Sequence, residues 1–430
     1  MSTELLRSSS SFISQLVKHD ILDADTFKPL LKGTDLAKAL SVKPGPWMKD
    51  ALDVVMAWQL RNPSTTDPAE AIEAVRIYRE SESELSQRLA SHFLKLTIPP
   101  FFPQTKSDHA FDISQKPAPW KAPHNGFVLD LLRWSIQSLD RKAIEQNWHF
   151  LVPPVLKMLD DTSVEHKARG CQYLRYLLAT LKSTTNKDAS ITFLERTGYH
   201  EVFASTLWPL LTYIPSLTPE AESVTVFESV YDPLRSLAEL LRTEDKRCKF
   251  LDKLMREGVL APLSHFPTPA TYPDLACAII DEIPRITSML GIETVKHLPS
   301  LTPLLTSIMQ DPFILSRKEL TLAAIHALQS VMKNCWPRIP AHRGAITLGL
   351  CVLKGRCDDE TGRLPKGQGG NKEAREWGLM EEILQNLKDT AGMLDKVLSQ
   401  SEVSDEWMEE KKALVDADEG LEGFFEEEVW

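Results

Sequence analysis

A chain of 430 residues with 43% hydrophobic content is long enough to bury a sizeable core, as two or three domains or as one elongated repeat array. Its formal charge of −11 argues against broad attraction to nucleic-acid phosphates, which needs clustered Lys and Arg. That acidity is local: from Ser401 to Trp430 twelve acids stand against Lys411 and Lys412, so the first four hundred residues are almost neutral.

The start, MSTELLRSSSSF, shows no apolar run long enough for a signal peptide, and nothing approaches the roughly 20 apolar residues of a membrane span. A cytoplasmic and nuclear address without membrane contact is expected. Phe12, Ile13, Leu16 and Val17 make a first helical stripe, and Leu52, Val55, Met56 and Leu60 make another, separated by the turn Lys43-Pro44-Gly45-Pro46. Further helices are predicted near Pro68 to Tyr78 and near Glu84 to Leu94. Residues 1–98 therefore read as a small helical module. Pro99, Pro100, Pro103, Pro117, Pro119 and Pro123 then forbid continuous helix, which makes 99–124 the expected linker.

Helical spacing dominates from 125 to 400. Predicted helices are Phe127 to Leu139, Trp148 to Leu159, Val164 to Leu181, Ile191 to Tyr213, Glu220 to Leu241, Arg247 to Leu263, Leu275 to Leu290, Leu298 to Met309, Lys318 to Lys333, Ala341 to Leu353 and Ala374 to Gln400. Helices of similar length joined by short turns predict stacked hairpins. Val152-Pro153-Pro154 with Leu156, Leu159, Asp160-Asp161, Val164, Ala168, Cys171 and Leu174 follows the HEAT-repeat pattern. Leu298-Pro299 with Leu304, Leu305, Asp311-Pro312, Leu320, Ala324 and Leu328 follows it again. The fold class predicted is all-α, a HEAT-like α-solenoid. Residues 355–373 are polar and Gly-rich and are expected to be a disordered loop, and 401–430 an acidic disordered tail.

Motifs for catalysis are missing. There is no HExxH, no GxSxG, and where Gly362 and Gly367 have phosphate-loop spacing, Gln368 stands in place of the required Lys. The six cysteines lie far apart without CxxC pairs and read as reduced, mostly buried thiols, while the His residues are isolated. Asp23 with Asp25 and Asp416 with Asp418 lack a strand context for magnesium and read as surface acids. No catalytic residue, cofactor or metal is expected. Trp47, Trp58, Trp134, Trp208 and Trp336 read mainly as packing residues, with interface anchoring the alternative. Phe424, Phe425 and Trp430, set among acids, fit a short docking motif or a merely disordered end.

DDTSVEHKARGCQYLRYLL (Asp160 to Leu178), FLERTGYHEVF (Phe193 to Phe203) and LLTYIPSLTPEAESVTVFESVYDPLRSLAEL (Leu210 to Leu240) resemble the Tti-two family, over roughly 125–353. The resemblance implies a HEAT-like scaffold, not an enzyme, that binds the Tel-two and Tti-one subunits of the TTT complex. With the ninety-kilodalton heat-shock chaperone, that assembly matures phosphatidylinositol-3-kinase-related kinases of the TOR, ATM and ATR types. The turns carrying Asp160, Asp161, His166, Lys167 and Arg169, and Pro215, Pro219, Glu220 and Glu222, are the expected partner-binding ridge.

LLKGTDLAKALSVKPGPWMKDALDVVMAWQLRNP (Leu30 to Pro63) resembles instead the end of fungal CCA-adding tRNA nucleotidyltransferases, a helical tail that holds tRNA. On that resemblance Lys32, Gly33, Lys43 and Gly45 are candidate RNA contacts, the lysines meeting phosphates and Gly45 permitting close backbone approach. The catalytic head with its magnesium-binding carboxylates is absent. A fused module, a retained tRNA-binding domain and a joining of two neighbouring genes all remain open as its origin.

Overall fold

A computed structural model describes residues 30–62, 67–103, 118–182, 193–215, 218–363 and 371–425. The first predicted stripe, Phe12 to Val17, lies outside them. Among the described residues every regular element is a helix. The chain divides into two compact units, the second beginning for good at Ile144.

In the first unit, α1 (Gly33–Ala39), α2 (Trp47–Arg61) and α3 (Pro68–His92) close around Leu36, Ala51, Val55, Ala71 and Val75. Val55 of the predicted stripe is fully buried, whereas Leu60 stays exposed. Asp67 starts α3, its Oδ1 accepting from the Ala69 amide at 2.8 Å, and Pro68 fits the first helical position where no N–H is needed. The two helices expected between Pro68 and Leu94 are one. No Gly or Pro separates them, and the Ser81 hydroxyl bonds back to the Tyr78 carbonyl at 2.8 Å instead of interrupting the turn. The expected linker 99–124 is also a correction: its described ends pack, with Trp120 buried and stacked on Phe102 at 5.5 Å, next to α4 (Phe127–Ser138). In these ends the prolines begin single 3-10 turns, Pro99–Phe101, Pro119–Lys121 and Pro123–Asn125, and do not exclude burial.

The second unit contains the rest of α5 (Arg141–Leu159), then α6 (Val164–Lys182), α7 (Tyr199–Leu207), α8 (Glu220–Glu239), α9 (Glu244–Lys253) and α10 (Pro273–Ile280). It continues through α11 (Ile283–Leu290), α12 (Leu298–Met309), α13 (Lys318–Cys335), α14 (Arg343–Arg363), α15 (Asn371–Ser399) and α16 (Ser404–Ala417). One layer is a row in which α6 packs on α8, α8 on α10, α10 on α13 and α13 on α15. A second layer returns between them: α7 and α9 lie on α8, α11 and α12 on α13, and α14 on α15. This solenoid-like stacking follows from the apolar spacing. Leu174, Leu177, Leu178 and Leu181 of α6 and Val226, Val230, Leu234 and Leu237 of α8 are all fully buried. Each such side chain contributes about 1.5–3 kcal/mol.

Small residues set the approach distances. A Cβ on Gly170 would stand 3.0 Å from the Leu159 backbone nitrogen, so the α5 end and α6 meet only because that side chain is missing. After α9 the helix widens into a π-turn, Leu254–Leu260. A π-turn accommodates one extra residue and loosens a carbonyl; here Tyr231 of α8 donates its hydroxyl to the Gly258 carbonyl at 2.6 Å.

Three expectations need correction in this unit. Leu275 to Leu290 is two helices, because Pro284 offers no amide to the Ile280 carbonyl and the chain bends at Asp281-Glu282. The loop expected at 355–373 is helical through Arg363 and again from Asn371. Arg356 there donates to the Met309 carbonyl at 3.2 Å and to that of Asp311, and Cys357 is fully buried, so few apolar residues suffice. The acidic tail is folded as well: α16 lies on α15 with Trp407 fully buried, its indole donating to Asp395 at 2.9 Å and meeting Phe425 edge-on at 5.5 Å. Its described acids are exposed, and Arg343 bonds Glu406 at 2.8 Å and Glu410 at 2.9 Å.

Candidate protein-docking groove

The turn between α5 and α6 is built from its own polar side chains. Asp161 Oδ1 accepts from the Ser163 amide at 2.8 Å and lies 3.2 Å from His166 Nδ1. Lys167 reaches back to donate to the Leu159 carbonyl at 2.9 Å, with Nζ 5.5 Å from the Tyr213 ring centre. Asp161 and Lys167 are buried, so two of the expected partner contacts hold the turn instead and face no partner. The reason is the unpaired Leu159 carbonyl, which a long cationic side chain one turn into α6 can satisfy. Asp160 and Arg169 are exposed, and His166 is half-buried.

Past this turn the outer sides of α6 and α8 enclose an open groove of about 910 Å³. Arg169, Gln172 and Arg175 line one wall, Glu222, Glu228 and Asp232 the other. Arg169 is paired with Glu165 at 2.8 Å, and Arg175 crosses to Asp232 at 3.5 Å. Glu222 and Glu228 have no ion-pair partner among the described residues. Pro219 and Glu222 are exposed at its upper end, while Pro215 is half-buried and Glu220 is drawn sideways, accepting from the Leu275 amide at 3.5 Å. The fold thus gathers Arg169 and Glu222 of the expected ridge into one surface and leaves Asp161 and Lys167 beneath it. Gln172, Arg175, Glu228 and Asp232 went unnoticed in the sequence. Their signal is a polar stripe at three- and four-residue spacing, opposite the buried stripe of each helix.

A line of charges leaves this groove. Asp232 pairs also with Arg235, whose Nε lies 3.1 Å from Glu282, which pairs in turn with Arg285. Burial pushes the Glu282 carboxyl up, and Arg235 and Arg285 pull it partly back. The line ties α8 to the α10–α11 bend. Desolvation keeps the thiols protonated: Cys171, Cys277 and Cys357 are pushed up to about 12, and Cys335 and Cys351 to about 11. Thiols held there supply no thiolate nucleophile at neutral pH. No group of His, Cys, Asp and Glu suited to a metal ion occurs among the described residues, nor a helix long and apolar enough to cross a membrane.

In the first unit Lys32 and Lys43 are exposed, at the start of α1 and in the turn before α2. The Trp47 indole donates to the Lys43 carbonyl at 3.0 Å, and the Arg79 guanidinium lies 4.7 Å from the Trp47 ring centre. The space beside Gly45 is taken by that ring, 3.3 Å from where a Cβ would stand, and Gly33 faces Met48 at 3.4 Å. In the Cβ direction, close approach at these two glycines therefore serves side chains of this chain. Phe424 and Phe425 are buried, which removes them as free docking anchors, and Trp430 lies outside the described residues. Of the tryptophans, Trp336 is 59% exposed and so is no core residue.

Comparison with known proteins gives two kinds of match. The profile of the Tti2 family matches residues 52–316. Over 263 residues the chain is 27% identical to TEL2-interacting protein 2 of Saccharomyces cerevisiae, covering 60% of this chain and 58% of that protein. Over 246 residues it is 23% identical to TELO2-interacting protein 2 of Mus musculus, covering 57% and 44%. A stretch of 69 residues is 55% identical to nucleotidyltransferase lcsQ of Purpureocillium lilacinum, covering 16% of this chain and 12% of that one. The chain spans about half the length of the two TEL2-interacting relatives. No solved structure matches it.

Proposed function

Because the chain belongs to the Tti2 family, we propose that it is a non-enzymatic adaptor: it holds TEL2-type and Tti-one-type partner solenoids in a TTT-like complex that supports the maturation and stability of phosphatidylinositol-3-kinase-related kinases. The yeast and mouse relatives are named for interaction with TEL2 and TELO2. The observation that carries the reading is the groove of α6 and α8. It falls inside the family-matched residues, is open to solvent, and presents Glu222 and Glu228 without ion partners to whatever docks there. Mechanistically the adaptor works by equilibrium binding, which raises the effective concentration of chaperone and kinase for one another in the cytoplasm and nucleus.

The test is co-purification of full-length chain with a co-expressed TEL2-type subunit. Glu222→Lys together with Glu228→Lys reverses exposed charges that make no ion pair among the described residues. Recovery of partner falls about tenfold, which is 1.4 kcal/mol of binding. Undiminished recovery with a normally folded variant removes the groove from the interface.

The resemblance of residues 30–63 to the tail of CCA-adding enzymes, together with a short nucleotidyltransferase match of 69 residues, favours a second reading, that of a tRNA-binding tail. Lys32 and Lys43 would meet phosphates. A gel shift of the full chain against tRNA decides it: Lys32→Glu with Lys43→Glu lowers affinity and flattens its salt dependence, or the wild type fails to bind at all and the reading falls.

A further inference from the structure

A second groove lies on the turn-bearing edge of the second unit. Residues 267–271, between α9 and α10, and residues 311–317, between α12 and α13, enclose about 760 Å³. Buried Ile308 and Ile314 form its floor, and Pro267, Pro269 and Pro312 stiffen its rims. On the lip stands Phe313, 77% exposed and the barest of the large apolar side chains among the described residues.

Its exposure is not that of a loose loop. Asp311 Oδ1 accepts from the Phe313 amide at 2.9 Å, and the Phe313 carbonyl accepts from the Ser316 hydroxyl at 2.7 Å and the Ser316 amide at 3.1 Å. Arg356 of α14 holds the turn from behind through the Met309 and Asp311 carbonyls. Ile314, the next residue, is sunk into the core. The backbone at Phe313 is therefore fixed by bonds on both sides, and the ring is presented to water with the ordering cost of its backbone already met in the free protein. Such a ring suits an anchor for a partner, because preorganisation removes much of the entropy lost on binding.

Charge points to the partner's chemistry. Arg317 is exposed on the same turn with no partner for its guanidinium among the described residues, and Arg356 adds a second cation behind it. The lone lining carboxylate, Asp311, already has one oxygen occupied by the Phe313 amide. We infer that this groove is a docking site for an acidic segment of a partner subunit, one that offers an apolar cleft to Phe313 and a carboxylate to Arg317. The inference rests on the adaptor reading and adds a second contact, opposite in charge to the groove of α6 and α8.

The experiment places the photoreactive residue p-benzoylphenylalanine at position 313 of the full chain, co-purified with the TEL2-type and Tti-one-type subunits. Irradiation joins it to a partner peptide containing Asp or Glu. Arg317→Glu and Phe313→Ser each lower partner recovery about tenfold with an unchanged melting temperature, since neither side chain supports the fold. If the assembly forms but position 313 links to nothing, to its own chain or to a second copy, or if recovery is undiminished, the docking site is wrong and the adaptor reading stands. If the wild type brings down neither subunit, both fail together.

Discussion

Replacing Trp407 by Ala tests the most unexpected part of the fold, the acidic segment. The ring is fully buried, its N–H donates to Asp395 at 2.9 Å, and it meets Phe425 edge-on at 5.5 Å. Removing a buried Trp side chain costs about 3–5 kcal/mol, and the lost hydrogen bond about 0.5–1.5 kcal/mol more. Asp395 is not orphaned, because Lys411 Nζ remains at 3.1 Å. The remaining ties, Arg343 to Glu406 and Glu410, are too exposed on the acid side to compensate. Since α16 rests on α15 at the end of the row, the loss appears as local opening of 404–425 ahead of global unfolding. Hydrogen exchange followed by mass spectrometry reads this directly: 3 kcal/mol corresponds to acceleration of about a hundredfold in α16. Protection within tenfold of the wild type would refute the buried placement of Trp407.

Other perturbations address the groove's supports. Gly170→Ala would gain about 1 kcal/mol from helix propensity alone, yet its Cβ presses on the Leu159 backbone at 3.0 Å, so urea unfolding shows a net loss of about 1–2 kcal/mol. Lys167→Met keeps the aliphatic stem but deserts the Leu159 carbonyl, and the same assay shows a loss of about 1–3 kcal/mol; a neutral result would mean that the lysine faces outward. Burial lowers the pKa of His200, which keeps a neutral ring 3.2 Å from the Leu237 carbonyl. A base whose folded pKa is depressed contributes stability above its unfolded value near 6.5, and that contribution drains away as pH falls from there toward the lowered value. Stability measured from pH 7.5 to 5 therefore declines more steeply in the wild type than in His200→Asn.

The helical row was legible because Leu, Val and Ala recur at three- and four-residue spacing, as in Leu320, Ala324, Leu328 and Val331, each at most 1% exposed. The acidic segment was not. Its acids dominate any count, and Trp407, Leu421, Phe424 and Phe425 are too irregularly spaced to show a face, although all four are buried. Composition registers the outward side of such an element and misses four inward residues. At the groove the turn residues were visible but their directions were not: Asp161 and Lys167 look like surface charges until the Leu159 carbonyl and Ser163 amide need partners. Arg175 and Asp232, fifty-seven positions apart, become neighbours only when α6 packs on α8.

The widened turn at Leu254–Leu260 bears on how this array could change length. Insertions and deletions in stacked hairpins normally fall in the connecting turns, where no neighbour reads the register. Here a phenol on the adjacent hairpin reads it, since Tyr231 is bonded to the Gly258 carbonyl, to which Pro262, four residues on, offers no amide. Deleting one residue would restore ordinary helix, carry the Gly258 carbonyl away from that phenol, and rotate everything up to Ser264 by about a hundred degrees. The length of this helix is thus fixed by a contact inside the stack and not by its connecting turns alone.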